Sequence, residues 1–383
     1  MRDIRVLPAW RSYSPRLPRF SVPLVGKRPS SEWLFFATLI LYSFFCFFFY
    51  FKYVEPWIAG DIQTRIGADS DRYWEYAMWA EESGDAPLTS ITGNYLGPVL
   101  MVRALHSGFA ILCFNFFLFA IALKVVASIP QVNLALVGFL FLANAQLLLA
   151  LTTLNKEIFA LLGGVLTAKY LYAKKRSKLM LLVVLLVSLI ARWEQAALLI
   201  LFLAFDRILF RKKPWFGVLT LVAAITVIYP FIFRVLGIDP HTFDWLMEDA
   251  PTLIRINNVQ QAFGFPLVVI PKIFMLLTGQ LHSPQFYDFG SWWGKVITDL
   301  QNWLFLPLGC LMYTIIFAVA FWTKRLRLTR PIALLSVLTL VVSAVPPFTQ
   351  PRYVYAVYAM LCIDLARPRE LGDVSGERRD HNI

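Results

Sequence analysis

Charge is scarce in this sequence. Asp, Glu, Lys and Arg make up 16% of its 383 residues, against about 25% in ordinary soluble domains. A soluble fold needs a charged surface, so that class is excluded at the outset. Cysteine and histidine are also rare, at four each. Cys46, Cys113, Cys310 and Cys362 stand inside apolar runs, without the spacing of a disulfide framework or a zinc site. His106, His241, His282 and His381 are scattered, with no HExxH pattern among them. Neither a Gly-rich phosphate loop nor a nucleophile elbow occurs. No internal repeat of the transporter kind is visible. No cleavable signal peptide is expected, because the first apolar run is too long for one.

What is abundant is apolar. Hydrophobic residues are 58% of the chain, and the mean hydropathy is +0.62. They come in repeated runs of about 20 residues, the length of a membrane span. The few charges are lopsided, with a net +12. In a polytopic protein such an excess marks cytoplasmic loops, so nucleic acid is not an expected partner.

The expected fold is all-α: a polytopic transmembrane helix bundle of about ten spans, with two large external loops carrying short helices. Residues 1–32 combine seven Lys and Arg with five prolines. Prolines this dense prevent a helix, and the tail reads as basic and cytoplasmic. Residues 33–366 form the transmembrane domain, and 367–383 a polar cytoplasmic tail. The first span is 33–51. The external loop 54–96 follows, then an amphipathic piece at 97–105 and a span at 107–126. Residues 132–153 read as one span outward and 158–173 as its return. Lys174-Lys175-Arg176-Ser177-Lys178 then marks the cytoplasm. Residues 179–205 read either as one long helix with Arg192 and Glu194 at mid-depth or as a hairpin with both at the outer turn. The single helix would put Arg207, Arg211, Lys212 and Lys213 outside, against the charge rule, so the hairpin is favoured. A span at 216–236 leads to the second external loop, about 237–300. Within it 265–281 is apolar but broken by Pro266 and Pro271, hence re-entrant or interfacial, which requires burial against protein. Spans at 303–323, 332–345 and 353–366 complete the bundle.

Four polar clusters then fall on the same side: Asp69/Asp71/Arg72, Asn155/Lys156/Glu157, Arg192/Glu194 and Gln350/Arg352/Tyr353. Each has a plain structural role available. Asp and Ser cap helices, Lys snorkels, and Arg at a span end meets lipid headgroups. Together they describe a polar cavity at the outer boundary, where ionisable residues mark function.

The acidic stretch Gly67-Ala68-Asp69-Ser70-Asp71-Arg72-Tyr73, just after the first span, resembles the first-loop motif of the GT-C class of polytopic glycosyltransferases. Leu154-Asn155-Lys156-Glu157, Ala191-Arg192-Trp193-Glu194 and Gln350-Pro351-Arg352-Tyr353 are similar in style to oligosaccharide repeat-unit polymerases of O-antigen and exopolysaccharide assembly. The resemblance implies an enzyme at the outer face of a bacterial inner membrane. Its partners would be a polyprenyl-phosphate-linked sugar donor, a glycan or lipid-linked acceptor, and membrane lipid. It implies either a repeat-unit polymerase or a single-sugar transferase.

The chemistry suits these residue types. A carboxylate, Asp69 or Asp71, deprotonates the acceptor hydroxyl. Arg72, Lys156, Arg192 and Arg352 supply positive charge where the leaving phosphate develops negative charge. Glu157 and Glu194 complete the polar lining, and Tyr73, Trp74, Trp193 and Tyr353 offer rings for a sugar face or lipid groove. A divalent cation on Asp69 and Asp71 is the alternative, since carboxylates suit Mg²⁺ or Mn²⁺. The expectation is transfer without metal or other cofactor. Competing readings are a lipid-linked sugar flippase and a non-catalytic envelope assembly subunit.

Overall fold

The computed structural model describes residues 29–61, 66, 70–82, 94–210, 212–236, 251–279, 289–346 and 350–368. Most of both tails lies outside these residues. Every regular element among them is a helix. In chain order they are α1 (Pro29–Phe49), α2 (Ser70–Glu82), α3 (Leu96–Leu105), α4 (Gly108–Ala127), α5 (Leu134–Leu142), α6 (Ala145–Thr152), α7 (Glu157–Tyr172) and α8 (Lys178–Ala191). They continue as α9 (Trp193–Phe205), α10 (Pro214–Leu236), α11 (Pro251–Phe263), α12 (Val269–Thr278), α13 (Phe289–Thr298), α14 (Leu306–Trp322), α15 (Pro331–Ser343) and α16 (Tyr355–Leu365).

Among the described residues three helices are long and apolar enough to cross a membrane: Ser31–Ile58, Gly108–Ala127 and Gln301–Trp322. The first is longer than the sequence suggested. A π-helical turn at Tyr50–Val54 carries α1 on to Ile58. Tyr50 and Val54 are buried there, so packing overrides the charges of Lys52 and Glu55.

The expected straight span at 132–153 is instead two helices, α5 and α6, bent by 81°. The break is at Asn144. Its Oδ1 accepts the Gln146 N–H at 2.9 Å, so it starts a new helix as an N-cap. Short polar side chains compete with the backbone ladder in this way. At the bend α14 comes very close. A Cβ on Gly309 would stand 2.5 Å from Gln146 Cγ.

Residues 179–205 also break, at Arg192, whose backbone is extended (φ −162°, ψ 121°). Ser188 of α8 and Leu199 of α9 line the same small cavity, against Gly163, Gly164 and Thr167 of α7. On one continuous helix eleven residues would separate them by roughly 16 Å. The chain therefore doubles back, as the hairpin reading required.

The core is α7. Every side chain from Ile158 to Ala168 is buried, and the helix packs on α4, α8 and α16. A helix apolar all round belongs in the middle of a bundle. Small residues let its neighbours approach, as in membrane packing: a Cβ on Gly164 would lie 2.5 Å from the Ala356 carbonyl oxygen of α16. The outer helices turn apolar side chains outward, among them Trp33, Phe44, Leu179, Ile200, Leu219 and Phe321. That much exposed apolar surface needs lipid.

The broken apolar stretch after residue 264 folds as a short 3₁₀ turn and α12. One face is buried against α14 and α15, and Ile270 and Phe274 point away from the bundle. The burial against protein that this stretch required is present.

Candidate functional site

The predicted cluster is built at the N-terminal end of α7. The approach to it is held from below. Asn115 of α4 donates from Nδ2 to the Leu151 and Thr153 carbonyls, each at 3.1 Å. Asn155 Oδ1 accepts the Lys156 N–H at 2.9 Å. Glu157 then opens α7 and is 1% exposed.

Two arginines reach the Glu157 carboxylate from different elements. Arg192 comes from the α8–α9 turn, with Nη2 3.7 Å from Oε1. Arg352 comes from the 3₁₀ turn before α16, with Nε 3.8 Å from the same oxygen. Both separations are too long for hydrogen bonds. Among the described residues neither Glu157 oxygen has a hydrogen-bond partner, and neither have Nε and Nη2 of Arg192. Each arginine is instead oriented by a neighbour. The Arg192 guanidinium lies 3.9 Å from the centre of the Tyr353 ring, a cation–π contact. Arg352 donates from Nε to Gln350 Oε1 at 2.6 Å, and from Nη2 to the same oxygen.

Lys156 and Glu194 complete the polar lining through a residue that sequence reasoning missed, Asn94. Its backbone is left-handed, with φ 59°. Its carbonyl accepts from Lys156 Nζ at 3.3 Å. Its Nδ2 donates to Glu194 Oε1 at 2.9 Å, and its Oδ1 accepts the Trp193 N–H at 3.1 Å. One residue thus ties the end of the first loop to α7 and α9. Tyr95, also missed, sits with Tyr73 beside the lysine. Their ring centres are 6.0 and 5.8 Å from Lys156 Nζ, and the two rings meet edge to face. Tyr73 is fully buried, so it supports Lys156 and is not a free stacking platform. Tyr355, at the start of α16, lies within electrostatic reach of Glu157.

Ser70 of the acidic motif is brought to the same place. Ser70, 2% exposed, donates from Oγ to the Leu154 carbonyl at 2.9 Å. The first turn of α2 therefore abuts the strand of backbone leading into Lys156 and Glu157. Asp69 lies outside the described residues. Asp71 and Arg72 are in α2, but their side chains lie outside the described residues.

The electrostatics favour an anion. Three buried cations, Lys156, Arg192 and Arg352, face two carboxylates, Glu157 and Glu194. Helices α2, α7 and α9 and the 3₁₀ turn Pro351–Val354 all start here, so several positive helix ends meet. Three of these starts have no capping bond from the N-cap side chain: Lys156 for α7, Arg192 for α9 and Gln350 for the 3₁₀ turn. Asn133, Asn144 and Ser177 do cap their helices elsewhere. At α9 Asn94 already takes the first N–H, that of Trp193; helix N-termini beside arginines are suited to phosphate or carboxylate. Among the described residues no three His, Cys, Asp or Glu come together as metal ligands.

A second polar cluster stands at the other end of α7. Tyr172 donates to Asp364, Arg330 Nη1 donates to Asp364 Oδ2 at 2.9 Å, and the Arg367 guanidinium lies 4.0 Å from the Tyr172 ring centre. Sixteen residues of helix, about 24 Å, separate the two clusters. Lys156, Glu157, Arg192, Glu194, Arg352 and Tyr353 stand together at the start of α7, and Arg325, expected on the opposite side, bonds the Arg367 carbonyl in the far cluster.

No protein-family model matches this sequence, and comparisons with curated proteins and with solved structures returned no match.

Proposed function

We propose that this protein is a GT-C-like membrane glycosyltransferase. In this reading it uses a polyprenyl-phosphate- or diphosphate-linked sugar at the outer face of a bacterial inner membrane. It serves envelope polysaccharide assembly, as repeat-unit polymerase or single-sugar transferase. The bundle has about ten spans, with both termini cytoplasmic. One observation carries the reading: Arg192 and Arg352 converge, deeply buried, on one carboxylate at the start of α7. Such a site binds an anion that comes from within the membrane boundary. A lipid-linked phosphate is such an anion.

The roles follow. Arg192 and Arg352 hold the phosphate, with Lys156 behind them. The acceptor oxygen attacks the anomeric carbon, the bond from that carbon to the phosphate oxygen breaks, and the phosphate leaves with the electron pair. Asp69 or Asp71, the neighbours in sequence of the anchored Ser70, takes the acceptor proton. Glu194 and Tyr353 line the site, and Arg72 is a further cation that the sequence offers for it. Purified protein with a lipid-linked donor tests this. Asp69→Asn or Asp71→Asn should lower turnover by about 10²- to 10⁴-fold with donor binding kept. Arg352→Ala should lose about 10²- to 10³-fold in turnover and also bind donor less well. Arg352→Lys should recover only part, since lysine has no planar fork. Unchanged turnover in both Asp variants would remove the proposed base.

A second reading, a lipid-linked sugar flippase, is favoured by the broken span. Its bend of 81° carries Gln146 Nε2, buried without a hydrogen-bond partner among the described residues. Broken helices of this kind build transport sites. Proteoliposomes separate the two: a flippase moves the donor between leaflets and makes no new glycosidic bond.

A further inference from the structure

Glu157 is an unusual partner for two arginines. A carboxylate that only neutralises guanidinium groups takes them in short, charge-assisted bonds of about 2.7–2.9 Å. Here the contacts are 3.7 and 3.8 Å. Both carboxylate oxygens, and two nitrogens of Arg192, keep their hydrogen-bonding capacity unused among the described residues. All of these groups are more than nine-tenths buried. Glu157 offsets one of the two positive charges through space while the Arg192 donors stay available.

The reason for the spacing is visible. Arg192 is held back over the Tyr353 ring at 3.9 Å. Arg352 is held by Gln350. Glu157 is fixed at the first position of the most buried helix. None of the three can close the gap without giving up its own anchor. A ligand with several anionic oxygens meets no such limit. A phosphate presents three acceptor oxygens and matches two guanidinium forks, where one distant carboxylate oxygen matches neither.

We propose that Glu157 is an internal counter-anion, which a phosphate monoester displaces electrostatically from Arg192 and Arg352. It offsets one of the two positive charges between ligands. It also limits how tightly phosphate is held. In the transfer reaction the leaving phosphate gains negative charge, and the fixed Glu157 charge beside it favours its release. The inference rests on the anion site of the preceding reading, and not on the transfer chemistry.

The test is phosphate binding to the full-length protein in nanodiscs, with three probes: a polyprenyl phosphate, phosphatidic acid and inorganic phosphate. Glu157→Gln should tighten binding by roughly tenfold or more, because a like charge a few ångströms away is removed from a poorly screened site. Tightening for the two lipids alone assigns a membrane-borne ligand, and tightening for inorganic phosphate alone a soluble one; either supports the exchange. Equal or weaker binding by a Glu157→Gln protein that melts like the wild type overturns it. So does the failure of all three probes to bind wild type and variant. Glu157→Asp covers the case in which the amide variant does not fold. It withdraws the charge by one methylene and should tighten binding by less; unchanged or weaker binding again overturns the proposal. The two readings fail separately. Tighter binding in the variant with no sugar transfer by the wild type removes the transferase. Transfer by the wild type with no tightening removes the counter-anion.

Discussion

Asn94 does more structural work than any of the charged residues it touches. Its φ of 59° is a backbone state that Asn and Gly adopt and most residues avoid. Its carbonyl holds Lys156, and its amide holds α9 at Trp193 and Glu194. Asn94→Gly keeps the backbone and the lysine contact while losing both amide bonds. Asn94→Ala loses them too and adds left-handed strain of about 1–2 kcal/mol. If the protein binds a lipid-linked donor as proposed, both variants should bind it less well, because Arg192 directly precedes the released Trp193. Thermal unfolding in detergent should rank alanine below glycine by about that strain; alanine at or above glycine would show that the backbone state is not what matters. The Gly93-Asn94 pair is readable as a turn from the sequence. Its three partners are not, since they lie on α7 and α9.

Among the elements α7 decides the architecture, and two adjacent glycines on it make opposite forecasts. Gly164 faces α16, where an added Cβ would meet the Ala356 carbonyl oxygen at 2.5 Å. Gly163 faces α8, where the nearest contact would be 3.5 Å to Ser188 Oγ, ordinary van der Waals distance. Gly164→Ala should therefore destabilise by about 1–3 kcal/mol through overpacking. Gly163→Ala should be neutral or stabilising by up to about 1 kcal/mol, from helix propensity. Thermal melts of the two purified variants check this, and equal melting would mean that α7 and α16 are not in backbone contact. Periodicity shows neither face, because α7 is apolar on every side. The bend between α5 and α6 was hidden for a related reason: hydropathy averages over Asn144 and does not weigh its capping bond.

For the whole molecule the two polar clusters at opposite ends of α7 set the expected topology. Trp193, which is 42% exposed, belongs to the site end, and Lys175 follows α7 at the far end. A membrane-impermeant thiol reagent on intact cells should label Trp193→Cys and spare Lys175→Cys and Lys212→Cys. Labelling at position 212 would place the end of α9 outside, and the site would then not face outward as a unit.

The sequence by itself determined the medium and the inventory. Scarce charge and long apolar runs require lipid, and the charge rule groups Lys156, Arg192 and Arg352 apart from Lys175 and Arg325. These are local or averaged properties, so they survive without a fold. Only the tertiary structure decided which of the polar residues meet. Residues 70, 94, 157, 192 and 352 come from five segments, and no periodicity links them. Packing around α7 brings them together. It sets Glu157 3.7 and 3.8 Å from its two arginines, a spacing fixed by the ring, the amide and the helix start that hold each group in place.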